Sequence, residues 1–334
     1  MPNNTNTGRS WIHVSALRGR WLNSAVLAMA LFGLFALVLG FFGDWNWFAD
    51  LFAHPRAQYC AWFGTTIAAA FYLRQRVALW IGVVGLCING AVLFPYALPW
   101  RKAPETQRLG APLKLISLNL LYGNRDAGRV CGYLRETKAD IVVFQELGPF
   151  WATALKDLAD VYPYRTMKPR KDGFGIGVFS RTKPLAVDIR KAGEREGDYA
   201  VFATWEQGGR KFHVVGVHPD KPDAQWKTRN RRVYLDAVAQ WCNERAKADE
   251  PVVALGDFNA TPWSASMRRF TTQTATRNTT QGVVFGATWN VYQPQRLLID
   301  HALVSPHWDL LQRTVGPDVG SDHRPLAVEI AIRQ

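Results

Sequence analysis

The sequence predicts an α/β domain whose sheets are covered by helices, carried behind a group of membrane-spanning helices. Three observations carry this reading. Residues 22–100 are strongly apolar with few charges, whereas residues 101–334 have the composition of an ordinary soluble domain. Within the second part, short apolar strands recur with helical stretches between them. Polar side chains follow directly on those strands, where a rigid sheet can aim them into one cleft.

The first twenty residues, with Arg9, Arg18 and Arg20, read as a cytoplasmic tail. The membrane region, 21–100, is expected to hold three transmembrane helices at about 22–43, 57–73 and 77–100, since a span needs about 20 apolar residues. The middle run sits at the lower limit of length, and the Arg74-Gln75-Arg76 turn makes a tight hairpin with the third. Trp21, Trp45, Trp47, Trp80 and Trp100 lie near the expected ends, where indole rings suit the interface. The first run is too long for an ordinary signal core, and no small-residue cleavage site follows it. The spans carry no ionisable residue of the kind that lines a transport path, so they read as an anchor. Arginines in the tail and at the 74–76 turn place both in the cytoplasm. The domain after the short linker 101–111 then lies outside, as expected for an integral protein of a bacterial inner membrane with a periplasmic or extracellular domain, 112–334.

In that domain the strand candidates are 113–118, 141–145, 174–180, 199–205, 211–217, 252–255, 298–304 and 326–332. Two helices are clear: one with Val130, Tyr133 and Leu134 on a face, another with Leu235, Val238, Ala239, Cys242 and Ala246. The four cysteines form no Cys-x-x-Cys pair, which argues against a zinc or thioredoxin-like site, and nothing supports a Cys131–Cys242 disulfide. A net charge of +13 favours anionic partners. Arginines beside membrane spans explain part of it. They explain less well the clusters at Arg165, Lys168, Arg170 and Lys171, or at Lys227, Arg229, Arg231 and Arg232.

The polar residues at strand ends are Asn119, Glu146, His218, Asp257 with Asn259, Asp300 with His301, and Ser321 with Asp322 and His323. Each alone has a plain reading as a turn, a cap or a solvated strand end. Together, in order over about two hundred residues, they supply carboxylates for a hard cation and imidazoles for proton transfer, the means to attack a phosphoester with water.

Ser-Leu-Asn ending at Asn119, Gln145-Glu146, His218-Pro219, Gly-Asp-Phe-Asn at 256–259, Ile-Asp-His at 299–301 and Gly-Ser-Asp-His-Arg-Pro at 320–325 stand in the order and spacing of a known family. The sequence resembles the endonuclease/exonuclease/phosphatase superfamily, the deoxyribonuclease I-like group, over nearly all of 112–333. The resemblance implies a four-layer sandwich of two packed mixed β-sheets flanked by helices, and dependence on Mg²⁺ or Mn²⁺. It implies that Glu146, Asn119 and Asp322 hold the metal, that Asp257 orients or deprotonates the attacking water, and that Asn259 holds the phosphate. His323 acts on the phosphoryl group with Asp300 orienting it, and His218 is a second phosphate-side histidine. Arg229, with Asn259 and His218, is expected to bind substrate. Phe174 stands where repair nucleases of the family carry tyrosine, and His218 is similar to deoxyribonuclease I rather than the exonuclease III branch; both count against abasic-site repair.

The substrate expected is a phosphodiester of nuclease type, with lipid headgroups or small phosphoesters as the close alternative. A catalytically dead binding module is the rival from another class, but it would have lost Glu146, Asp257 or His323, and none is lost. The lipid bilayer is the other expected partner, and no protein partner can be inferred.

Overall fold

The computed structural model describes residues 7–100, 104, 108–280, 286–290, 292–293 and 296–334, without the side chains of 7–19. Most of the expected linker 101–111, including Arg101 and Lys102, lies outside the described residues.

The N-terminal part is a small helical bundle: α1 (Thr7–Leu39), α2 (Trp47–Leu51), α3 (Arg56–Tyr72) and α4 (Arg76–Ala97). Val26, Ala30, Ala70 and Ala78 form one apolar cluster, and Ala36, Leu37, Tyr59 and Phe63 form another. The first cluster joins the end of α3 to the start of α4; the second joins the start of α3 to the latter part of α1. Hence α3 runs antiparallel to its neighbours, and α1 and α4 run the same way. Outward the bundle is apolar too. Of 22 exposed large hydrophobic side chains among the described residues, 18 lie between Trp21 and Leu98.

The expectation of three spans is corrected here. Two helices, Arg20–Phe42 and Arg76–Ala97, are long and apolar enough to cross a membrane by length and composition. The third, α3, has 17 residues, about 25 Å at 1.5 Å per residue, short of a hydrocarbon core of about 30 Å.

The remainder is a sandwich of two six-stranded sheets. The first contains β1 (Arg108–Asn119), β2 (Ile141–Gln145), β3 (Tyr164–Lys168), β4 (Ile176–Ser180), β11 (Trp308–Val315) and β12 (Leu326–Arg333), in the order β11-β12-β1-β2-β4-β3. The second contains β5 (Ala186–Lys191), β6 (Tyr199–Gln207), β7 (Arg210–Val217), β8 (Val252–Asp257), β9 (Arg277–Asn278) and β10 (Asp300–Val304), in the order β5-β6-β7-β8-β10-β9. Each sheet has one parallel pair at its centre, β1 with β2 and β7 with β8, and antiparallel strands outside it. A parallel pair needs a crossover; α5 (Ala127–Thr137) supplies it in the first sheet and α7 (Gln225–Lys247) in the second.

Leu115, Val143 and Val178 of one sheet meet Val201, Val214, Val253 and Leu255 of the other in the central core. Outside the second sheet, α7 and α8 (Ala265–Thr274) bury Leu235, Val238, Cys242 and Phe270. Outside the first, α5 and α6 (Pro149–Ala154) bury Val130, Leu134 and Trp151. The layers are therefore helices, sheet, sheet, helices, as the resemblance implied. Cys131 and Cys242 are free thiols in opposite helical layers.

Candidate active site

Strand direction brings the site together. Asn119 closes β1, Glu146 follows β2, His218 follows β7 and Asp257 closes β8. These are the C-terminal ends of the two parallel pairs. Asp300 opens β10, which runs antiparallel to β8 and pairs with Asp257 in register. His323 precedes β12, whose Leu326 pairs with Ser117 of β1. Both therefore sit at the same edge. Because the sheets pack face to face, the two sets of strand ends converge. The tight approach is visible at Gly216 of β7, where a Cβ would press into the Val143 side chain of β2 in the other sheet.

Asp257 is the hub. Its Oδ2 accepts from Asn119 Nδ2 at 3.1 Å and lies 3.7 Å from Nε2 of both His218 and His323. Its Oδ1 accepts from the backbone N–H of Asn259 at 2.8 Å. Asn119 Nδ2 also donates to Glu146 Oε1 at 3.2 Å, and Glu146 Oε2 accepts from the N–H of Tyr122 at 2.9 Å. His323 donates from Nδ1 to Asp300 Oδ2 at 2.9 Å. Asn259 and Glu146 both adopt left-handed backbone, with φ of 48° and 54°. Such strain in non-glycine residues gathers at functional sites.

Supporting contacts hold these groups still. The Ser321 hydroxyl donates to the Asn119 carbonyl and accepts from the His323 N–H, tying the two strand ends together. Tyr234 accepts at its hydroxyl from the His218 N–H and donates to the Tyr199 carbonyl. The His218 ring packs on Phe174 at 5.6 Å between centroids, so an apolar ring fills the place of the missing tyrosine.

Burial works against charge on His323, but Asp300 and Asp257 outweigh it and raise its pKa from 6.5 to about 9. The ring is an imidazolium at neutral pH. Burial likewise works against the Glu146 carboxylate. His218, the Tyr122 N–H and Asn119 overcome it and hold the pKa below the usual value. For Asp257, burial raises the carboxyl, His323 opposes, and Asp300 adds to the rise. An ionised donor, an ionised carboxylate and a carboxylate of raised basicity thus share one pocket, the separation that acid-base work requires.

The donors fit a divalent cation. Asp257, Asp300 and His323 bring atoms within 4.8 Å of one another, and with His323 protonated the carboxylate oxygens are the ones free to ligate. Glu146 adds an ionised carboxylate, and Asp322 Oδ1 is buried without a partner. Hard oxygen donors of this kind suit Mg²⁺ or Mn²⁺.

Of the residues expected from sequence, Asn119, Glu146, His218, Asp257, Asn259, Asp300 and His323 meet at this edge. Asp322 stands beside them, its Oδ2 accepting from Trp289 Nε1 at 3.0 Å. Arg229 stands elsewhere: it lines a cavity between α7 and the loop after α1. His301, part of the matched motif, is structural. Its Nε2 donates to the Ala260 carbonyl at 2.7 Å, and burial lowers its pKa to about 4.

Sequence reasoning missed the clamp on the loop after Asp257. Arg231 donates to the Asn259 carbonyl at 3.1 Å and pairs with Asp50 at 3.0 Å, both side chains almost fully buried. His54 Nδ1 lies 3.0 Å from the Thr261 hydroxyl, and Trp263 Nε1 donates to the His54 carbonyl. Tyr96 donates to the Pro262 carbonyl at 2.9 Å. The loop after the hub is thus gripped by the N-terminal bundle. Asp50 and His54, two polar residues between apolar runs, were the available signal.

The fold and site define a hydrolase of the phosphoesterase and nuclease type. Residues 116–323 match the Endonuclease/Exonuclease/phosphatase family, and the chain belongs to it. Zebrafish (D. rerio) TDP2 complexed with single-strand DNA product is 21% identical, with a TM-score of 0.57, over 66% of this chain and 98% of that one. The human Nocturnin catalytic domain with bound sulfate is 18% identical, with a TM-score of 0.56, over 67% and 96%. An endonuclease/exonuclease/phosphatase from Beutenbergia cavernae is 18% identical, with a TM-score of 0.56, over 67% and 72%. At these identities the likeness is one of fold. No curated protein matches the chain.

Proposed function

We propose that the chain is a membrane-anchored, divalent-metal-dependent phosphodiesterase of nuclease type. The observation that carries the chemistry is Asp257 set between two imidazoles, one of them charged through Asp300. Asp257 takes the proton of the attacking water. His323, held as an imidazolium, offsets charge on the phosphoryl oxygens or protonates the leaving oxygen. Asp300 fixes the ring, and His218 faces the phosphate from the other side. Asn259, its backbone held by Asp257 and Arg231 and its amide oriented by a bond to the Pro219 carbonyl at 2.9 Å, keeps its second amide hydrogen for the phosphate. Glu146, with Asn119 and Asp322, holds Mg²⁺ or Mn²⁺, which when bound supplies further charge neutralisation.

Cations flank the site on aromatic faces: Lys168 and Arg170 over Tyr199, Arg195 over Phe174 and Lys221 over Trp289. Such a rim suits a polyanionic strand. A second reading, a lipid headgroup or small phosphoester, is favoured by the contacts of the 258–265 loop with the bundle, which bring the site toward a bilayer.

The apolar mantle of α1 and α4 supports anchoring, with α3 packed against both. Arg20, Arg74 and Arg76 cluster at the bundle end away from the domain, which supports a periplasmic or extracellular domain. The test is hydrolysis by the full chain in detergent, with Mg²⁺ or Mn²⁺, of DNA, RNA, phospholipid vesicles and an aryl phosphodiester. Nucleic-acid cleavage that falls steeply with salt is expected. Intact nucleic acid at low salt, with headgroup release from vesicles, replaces the nuclease reading with the second one.

A further inference from the structure

Between α7, α8 and the loop after α1 lies a cavity of about 420 Å³, within the size range of small-ligand sites. Four guanidinium groups line it, those of Arg229, Arg231, Arg232 and Arg269. Three carboxylates face them, Asp44, Asp50 and Asp236, and Asp44 is drawn off by Arg268 at 3.2 Å. Asp50 pairs with Arg231, and Asp236 with Arg269 and, at 3.9 Å, with Arg232. Arg229 has no carboxylate partner among the described residues.

Some donors in its walls make no hydrogen bond. Arg231 is 1% exposed, and its Nε makes no hydrogen bond. Arg269 Nε and the Thr228 hydroxyl are buried and equally without partners. Buried donors of this kind are normally satisfied, but these three have no surface open to the cavity, so the groups that can meet an anion there are the exposed guanidiniums of Arg229 and Arg232. Two helices also begin here. The first turn of α7 has no side-chain cap and contributes Gln225, Thr228 and Arg229, while α8 contributes Ala265 and Ser266. The uncapped positive end of α7 therefore faces this space, whereas the first turn of α8 is already met by the Ser264 hydroxyl and by Asp50, which accepts from the Ala265 N–H at 3.1 Å.

The wall opposite α7 is the loop that joins the apolar helix α1 to α3. Trp45 and Trp47 line the cavity, and Trp45 is 83% exposed. Phe48 next to them is half exposed. Aromatic residues at the end of an apolar helix mark the membrane interface. We propose that this cavity binds a phosphate-bearing anion, supplied by the headgroup of an anionic phospholipid. The anion site itself does not depend on the hydrolytic reading. The lipid source rests on the anchoring proposed above.

The test uses the full chain in an uncharged detergent. Thermal unfolding and native mass spectrometry are followed on titration with short-chain phosphatidylglycerol, with phosphatidylcholine, and with inorganic phosphate. Phosphatidylglycerol should bind saturably and raise the unfolding midpoint, while phosphatidylcholine does neither. The Arg229→Gln/Arg232→Gln variant should bind phosphatidylglycerol at least about tenfold more weakly, since two charged donors to the anion are lost. An equal response to inorganic phosphate keeps the anion site and replaces the lipid source with free phosphate. Equal binding of phosphatidylcholine, unchanged affinity in the variant, or no binding of any anion overturns the proposal. Should the variant not fold, the discrimination by the unaltered protein between the two lipids still decides.

Discussion

His323 keeps its proton because two carboxylates face a ring that burial alone would leave neutral. The consequence for rate is direct. Replacing His323 or Asp257 by alanine should each cost about 10² to 10⁴ in kcat, the usual worth of one acid-base or electrostatic group. Asp300 acts through His323, so Asp300→Asn/His323→Ala should be little worse than His323→Ala alone. Losses that multiply would show two independent groups. The residue types and their order were legible in the sequence because chemistry restricts them. Their connections were not. That Asn119 joins Glu146 to Asp257, or that His301 turns away to the Ala260 carbonyl, depends on side-chain directions that only packing sets. Arg229 misled for the same reason: a basic residue near the motif in sequence faces a different cavity in space.

Histidine burial also sets the pH range of stability. His54 is lowered to about 4 by burial, with Arg231 adding and Asp50 opposing, and His301 is lowered to about 4 by burial. Between about pH 6.5 and 4 the unfolded chain takes up protons that the folded one refuses, so stability falls as pH drops through that window. His323 has the opposite sign. Its raised pKa adds stability that is complete below 6.5 and is lost as pH rises through about 9. Unfolding midpoints measured from pH 4 to 10 should decline on both sides of neutrality. A flat acid limb would contradict neutral burial of His54 and His301.

Among the elements, the eight strands expected from sequence are all present, and the four that were missed, β3, β5, β9 and β11, are the outermost strands of the two sheets. The reason is physical. Central strands are buried on both faces and read as apolar runs. Edge strands are half solvated and carry charge that discourages pairing with other chains, as in the Ala-Val-Asp-Ile-Arg-Lys of β5. The grip of the bundle on the 258–265 loop was illegible because its partners lie some two hundred residues apart. It is also testable. Asp50→Ala leaves the Arg231 guanidinium buried and unpaired, which should cost about 3–5 kcal/mol. Asp50→Leu/Arg231→Met removes both charges and should recover part of that stability. A single variant as stable as the unaltered protein would contradict the clamp.

For the whole molecule, the N-terminal helical bundle and the hydrolase domain are in direct contact. Residues 104–334 freed from the bundle should unfold at a lower temperature than the full chain, because Arg231 and the Thr261 hydroxyl lose their partners. Equal midpoints would show that the domain does not need the bundle. Orientation is checked separately: alkaline phosphatase fused after Gln334 should be active in a bacterial host, whereas a bright cytoplasmic fluorescent fusion would reverse the topology.

The strand-end cluster is proposed to hydrolyse phosphodiesters with a divalent metal. The most direct measurement is the rate of aryl phosphodiester cleavage by the full chain and by Asp257→Asn, each with Mg²⁺ or Mn²⁺ and with excess chelator. Turnover is expected from the unaltered protein with metal, none with chelator, and a loss of about 10² or more in folded Asp257→Asn. Turnover undiminished by chelator or by the substitution would contradict that proposal.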